Sequence, residues 1–173
     1  DLVLNLREGG HHSGNWGGLL ANPGVVLAHA LASITGPKGE IRVPEWRPTT
    51  LTGPVRELLS GLAVEAGEGG PKVDPGWGEP GLTPAERVFG FNTLEVLAYR
   101  TGNPENPVNA IPPRASATLQ VRFVAGSDHA QFIACVRRHL DAHGFASVRA
   151  APDRQETMAA TRLDPDNDWV RWA

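Results

Sequence analysis

The chain has 173 residues, enough for one domain and short for two, and its 40% hydrophobic and 20% charged content is that of a soluble globular protein. A net charge of −3 leaves no basic footprint for nucleic acid, and no apolar run approaches the roughly 20 residues that span a bilayer. The single cysteine, Cys135, excludes an internal disulfide and predicts a reducing, cytoplasmic setting; between Ile133 and Val136 in a helical pattern, it reads as a core thiol and not as a nucleophile.

Residues 2–7 alternate Leu2, Leu4 and Leu6 with Val3, Asn5 and Arg7, the period of a half-buried strand. No signal-peptide pattern precedes it, and both ends of the chain read as cut from something larger. The octet 11–18, HHSGNWGG, follows. Its glycines free the backbone and let another chain approach closely, so a histidine there can be aimed at a ligand without being buried. Asn22 and Pro23 form an N-cap and a first-turn proline; Val25, Val26, Leu27, Ala30, Leu31 and Ile34 give the helix an apolar face, and Gly36-Pro37 ends it. Residues 36–92 change character, with 19 Gly or Pro in 57 positions, and predict an irregular insertion. Two short helices are expected in it, one from Pro54 with Val55, Leu58 and Leu59, the other opened by the capping box Thr83-Pro84-Ala85-Glu86. Trp46, Trp77, Phe89 and Phe91 argue that the insertion docks rather than flexes.

Regular structure resumes with a strand over 93–101, a turn-rich link over 103–109, and a strand over 115–124. In the latter Ala115, Ala117, Leu119, Val121 and Phe123 face one way and Ser116, Thr118, Gln120 and Arg122 the other. A helix over 128–143, with Phe132, Ile133, Val136 and Leu140 inward, is stopped by Gly144, and 146–150 is a last strand. The order βαββαβ predicts an α+β fold: a two-layer, ferredoxin-like sandwich with a four-stranded antiparallel sheet and the Gly/Pro-rich insertion between first helix and second strand. The helix-free face would carry Arg7, Gln120 and Arg122, a polar surface that needs water or a partner across it.

No metal site is expected in this chain. His11 and His12 are adjacent and diverge; His139 and His143 sit at i, i+4, a zinc-compatible spacing, but no glutamate follows His139 and no third ligand is evident, so a solvated helix face is the expectation. Neither a phosphate-cradling loop nor a dinucleotide fingerprint occurs. On residue type alone His12 also serves as a surface histidine bonded to a loop carbonyl, Arg122 as a solvated strand arginine, and Asn109 as turn chemistry before a proline-rich segment.

Four segments in order, HHSGNWGGLLANP, FNTLEVLAYRTG, VNAIPPRASATLQVRF and DPDNDWVRWA, resemble the lid or dimerisation domain of the zinc-dependent peptidase and deacylase family M20. Its members include carnosinase, acetylornithine deacetylase, succinyl-diaminopimelate desuccinylase and glutamate carboxypeptidase. The resemblance implies that residues 1–163 are the dimerisation domain and 164–173 the start of a helix returning to a catalytic domain absent from this chain. It implies a homodimer formed by the edge strand from Thr93 to Arg100 and the helix from Val25 to Ile34. His12 would reach the partner subunit's active site and hold the scissile carbonyl oxygen as charge develops. That task wants a preorganised donor, and an imidazole, which can also change charge near neutral pH, supplies one. His11 would play a supporting role.

By the same resemblance Arg122 would grip the substrate carboxylate, which its guanidinium fork matches, and Asn109 would lie near the substrate. Some carnosinase-like members carry arginine directly after I-P; here Pro113 stands there and Arg114 follows, which leaves the role of Arg114 open. No cofactor is implied in this chain. Two zinc or other divalent ions are implied in the catalytic domain, activating water and polarising the amide of a dipeptide or N-acyl amino acid. The isolated chain is therefore expected to be inactive as a hydrolase. The alternatives are a stand-alone ferredoxin-like ligand-binding or oligomerisation module and, less favoured, an independent histidine-based enzyme.

Overall fold

In the computed structural model, which describes residues 1–64, 67–153 and 157–172, the N-terminal alternation becomes β1 (Leu2–Asn5), with Leu2 and Leu4 buried. Its neighbours are β5 (Arg114–Arg122) on one side and β6 (Arg149–Ala150) on the other, and β3 (Thr93–Thr101) flanks β5. The sheet order is β3-β5-β1-β6 with every neighbouring pair antiparallel. Opposite Leu4 stands Ala115 and opposite Leu2 stands Ala117. These two small, buried residues leave room for the helices that cover this face.

Those helices are α2 (Pro23–Ile34) and α4 (Phe132–Ala142), which pack on the sheet and on each other. Helix α2 starts where the sequence places it. Asn22 Oδ1 accepts from the N–H groups of Gly24 (2.9 Å) and Val25 (3.4 Å), and Pro23 occupies the first turn, where no N–H is needed. Leu27, Ala30 and Ile34 then meet Phe132, Val136 and Leu140 in one core, each large side chain contributing about 1.5–3 kcal/mol of burial. Val25, predicted inward, is 56% exposed, because two residues before Leu27 is roughly 200° round the helix. From the insertion, the 3₁₀ turn Pro44–Trp46 drives Trp46 into this core, its indole N–H donating to the Phe132 carbonyl at 3.2 Å.

Elsewhere the insertion is short helix and loop. Helix α3 (Gly53–Ser60) rests on a π-helical turn, Glu86–Gly90, that the predicted capping box opens. The Glu86 N–H donates to Thr83 Oγ1 (3.2 Å), and the Thr83 N–H donates back to Glu86 Oε2 (2.8 Å). The Thr83 bond, with the Arg56 guanidinium 2.5 Å away and against the cost of burial, holds the Glu86 carboxyl below its usual range. Of the aromatics expected to dock, Trp46 is buried and Phe91 half-buried, whereas Trp77 and Phe89 stay 54% and 52% exposed. The C-terminal helix α5 (Asp168–Trp172) presents Trp169 and Trp172 to solvent; Ala173, the end of the predicted returning helix, lies outside the described residues. Among the described residues no helix is long and apolar enough to cross a membrane.

Two expectations are overturned. Arg7 is not on the open sheet face: β1 ends at Asn5, and the guanidinium reaches the carbonyls of Ala21 (2.8 Å) and Pro112 (3.4 Å). Nor is the His139 side of α4 solvated. Packing of α4 on α2 buries His139, whose Nε2 lies 2.8 Å from the Ser33 carbonyl, and the His143 ring stacks on it at 4.0 Å with its own Nδ1 2.7 Å from the His139 carbonyl. A carbonyl only accepts, so each of these nitrogens carries a proton.

Burial pushes the His139 pKa down, with His143 adding to it against the Ser33 bond and the Glu45 charge. Its folded pKa thus lies below the unfolded value, near 6.5, and the unfolded chain binds more protons in that window. Stability is therefore fully present above about pH 6.5 and falls as the pH drops toward the lower folded value. Urea melts at pH 7.5 and 5.5 should show a larger loss for wild type than for His139→Gln, which keeps an N–H for Ser33 but does not titrate. Equal losses would remove His139 as the cause.

Candidate functional site

The octet 11–18 is more ordered than its glycines suggest. His11 and His12 form β2 (His11–His12), which pairs antiparallel with β4 (Ala110–Ile111), His12 opposite Ala110. The Ser13 N–H then donates to the Asn109 carbonyl (2.9 Å), and Ser13–Trp16 makes a single turn, α1. This small ribbon brings His12 and Asn109 together, both exposed.

His12 caps α1: its Nδ1 accepts the Gly14 N–H at 3.1 Å. An accepting Nδ1 has no proton, so the neutral ring carries its proton on Nε2, free to donate outward. Gly14 is part of this seat, since a Cβ there would lie 2.8 Å from His12 Cε1. His11 turns away and meets the Trp16 indole edge-on, ring centres 6.2 Å apart.

Arg122 is elsewhere. It ends β5 opposite Thr93, whereas Arg114 begins the same strand close to the His12 ribbon. At about 3.4 Å per residue the eight steps between them cover roughly 27 Å. The Arg122 Nε donates to Gln120 Oε1 (3.3 Å), and its two terminal nitrogens have no partner among the described residues. Arg122 lines a cleft of about 470 Å³ that the insertion walls on its far side, with Trp77, Arg87 and Phe91 among the lining.

One residue that supports this end is given no role by the sequence. Asn92, buried, donates through Nδ2 to the Trp46 carbonyl (2.7 Å), and its Oδ1 accepts the Val124 N–H (2.8 Å) and the Ser127 hydroxyl (3.1 Å). It ties the start of β3, the Trp46 turn and the chain just past Arg122 into one joint. It lies in the segment FNTLEVLAYRTG, but the resemblance gives it no role, and a lone asparagine between Phe91 and Thr93 has no periodic context that would mark it.

No three or more His, Cys, Asp or Glu side chains among the described residues are placed to hold a metal ion.

The fold is shared with solved structures. One is an M20 family metallo-carboxypeptidase, Sso-CP2, of Sulfolobus solfataricus: TM-score 0.64, 23% identity, covering 83% of this chain and 34% of that one. Human carnosine dipeptidase 1 gives a TM-score of 0.65 at 19% identity, covering 86% of this chain and 33% of its own. The di-peptidase Dug1p of Saccharomyces cerevisiae gives 0.60 at 20%, covering 82% and 30%. The chain thus spans about a third of the length of each, and at these identities the likeness is one of fold. No curated protein matches the chain by sequence. The family model of the M20 peptidase dimerisation domain matches residues 4–147, most of the chain, and this protein belongs to that family.

Proposed function

We propose that this chain is the dimerisation and substrate-capping domain of a metal-dependent amide hydrolase acting on dipeptides or N-acyl amino acids. The observation that carries the reading is the separation of its two recognition ends. His12 and Asn109 lie in the ribbon before β5 and Arg122 at the far end of that strand, whose eight steps span roughly 27 Å. An extended dipeptide spans only about 7 Å. One copy therefore cannot present both ends to one substrate, and two copies can.

The sheet supports such an arrangement. Strand β3 is an edge, and Val96, Leu97 and Tyr99 along it and Val25 on the adjacent α2 are all exposed apolar residues. Two copies joined antiparallel through β3 set the Thr93 end of one beside the Thr101 end of the other. Thr93 lies opposite Arg122, and Thr101 lies opposite Ala115, near the His12 ribbon. A two-fold dimer thus brings Arg122 of one copy to the same end as His12 and Asn109 of the second copy. In this reading Arg122 grips the substrate carboxylate and the Nε2–H of His12 meets the carbonyl oxygen that gains charge. Asn109 contacts the substrate nearby. Residues 1–163 are the domain, 164–173 lead toward a catalytic domain that holds the divalent ions, zinc by expectation, and the setting is cytoplasmic. The chain alone then caps and dimerises but does not hydrolyse.

Sedimentation of the chain tests the arrangement. A dimer is expected at high protein concentration, and Leu97→Asp, a charge on the exposed edge, should weaken it by at least about tenfold. A strict monomer at millimolar concentration, or a dimer indifferent to Leu97→Asp and to a charge at Val25, would remove this interface.

A further inference from the structure

The insertion is built as a wall at the Arg122 cleft. Its Trp77 segment is fastened to the turn after α2, where the Gly78 N–H donates to the Lys38 carbonyl at 2.6 Å. Arg87 Nε donates to the Glu79 carbonyl (3.0 Å), while the Glu79 carboxylate is held by Arg47, which also donates to the Ile41 carbonyl (2.8 Å). Gly39 shows how closely the segment is seated. Its φ of +84° already favours glycine, and a Cβ there would come within 3.1–3.2 Å of the Trp77 indole.

This wall encloses a cleft whose chemistry is specific. Its volume of about 470 Å³ lies within the roughly 300–1,000 Å³ of small-molecule sites. Arg122 stands in the lining with its two terminal nitrogens free of partners among the described residues, a fork that fits a carboxylate. With Glu79 taken by Arg47, the charges of the described lining, Asp74 and Glu95 against Arg87 and Arg122, are balanced before a substrate carboxylate binds. The rest of the lining is mainly apolar, with Trp77, Val73, Val88, Phe91 and Leu94, and the Trp77 ring is left 54% exposed beside it.

We propose that this cleft is a specificity pocket for the C-terminal residue of the substrate, its carboxylate on Arg122 and a large apolar or aromatic side chain against Trp77 and Phe91. The insertion is thus the element that sets side-chain preference. The inference rests on Arg122 as the carboxylate clamp, and the test separates the two.

The chain is titrated with N-acetyl-phenylalanine, N-acetyl-glycine and N-acetyl-lysine. Binding is followed by the Trp77 indole N–H in nitrogen–proton correlation spectra, identified by its loss in Trp77→Phe. N-acetyl-phenylalanine should shift this signal and bind at least about tenfold more tightly than the other two. Trp77→Ala, at a half-exposed position whose loss leaves the core intact, should abolish the preference and keep weak binding. Arg122→Ala should abolish binding of all three. Equal affinity for phenylalanine and glycine derivatives, tighter binding of the lysine derivative, or no Trp77 shift at 20 mM ligand (roughly the weak end for a lone contact) overturns the pocket. If Arg122→Ala removes binding while the derivatives bind equally, the pocket falls and the clamp stands. If Arg122→Ala changes nothing while Trp77→Ala still abolishes the preference, the clamp falls and the apolar pocket stands.

Discussion

Replacing His12 by alanine in the full-length enzyme should lower kcat by about 10²–10³-fold while changing KM little, the loss expected when one preorganised oxyanion donor is removed. The geometry makes the histidine a donor of fixed direction. Nδ1 is occupied by the Gly14 N–H, so the ring proton sits on Nε2, and the ring is exposed rather than buried in its own subunit. A donor held before the reaction begins costs nothing to orient as charge develops. The substitution also removes the cap of α1, worth about 0.5–2 kcal/mol, so thermal melting must accompany the kinetics. Arg122→Ala should behave differently and raise KM more than it lowers kcat, because a carboxylate clamp acts on ground state and transition state alike. A His12→Ala enzyme with unchanged kcat would remove the histidine from the chemistry.

The same variant tests whether the histidine serves the neighbouring subunit. An inactive His12→Ala enzyme is mixed with one inactivated in its catalytic domain. In a mixed dimer one site has an intact catalytic domain and receives His12 from the other copy. With free exchange half the dimers are mixed and half their sites work, so activity should return to roughly a quarter of wild type. Demonstrated exchange without recovered activity would place His12 in its own subunit's site or in none.

Much of the framework was legible because it rests on local rules. The Asn22-Pro23 start of α2, the reciprocal Thr83–Glu86 bonds and the period-two alternation of β5 each follow from a few adjacent residues, and all three are found. What stayed hidden depends on residues distant in sequence. The β2–β4 ribbon consists of two-residue strands, too short to carry a period, and forms only because 11–12 and 110–111 meet. His139 looked solvated until α2 covered it, and Arg7 looked like a strand residue until the carbonyls of Ala21 and Pro112 claimed it. The candidate site divides likewise. His12, Asn109 and Arg122 could be named from the sequence, but only the strand register puts two of them together and the third at the far end. Under the proposed function that separation calls for a second copy.

Asn92→Ala should destabilise the chain by about 2–4 kcal/mol, the second large effect expected. It strands the buried Trp46 carbonyl and the part-buried Val124 N–H; an unsatisfied buried group costs about 1–3 kcal/mol and a part-buried one less. Asn92→Asp separates the two bonds. It keeps an acceptor for Val124 and Ser127 but sets a carboxylate oxygen against the Trp46 carbonyl, an uncompensated charge in a buried place. When protonated, the same carboxyl can donate to Trp46 as the amide did. The Asn92→Asp chain should therefore lose at least as much as Asn92→Ala at pH 7.5 and recover part of it at pH 5, opposite in direction to the His139 effect. Urea midpoints for wild type and both variants at the two pH values measure this, and an Asn92→Ala loss under about 0.5 kcal/mol would mean that water replaces the joint. Because the bonded Val124 N–H lies two residues beyond Arg122, loosening the joint should also loosen Arg122, the proposed clamp. In the full-length enzyme Asn92→Ala should thus raise KM under conditions where it remains folded, while Ser127→Ala, which leaves the Trp46 and Val124 bonds in place, should not.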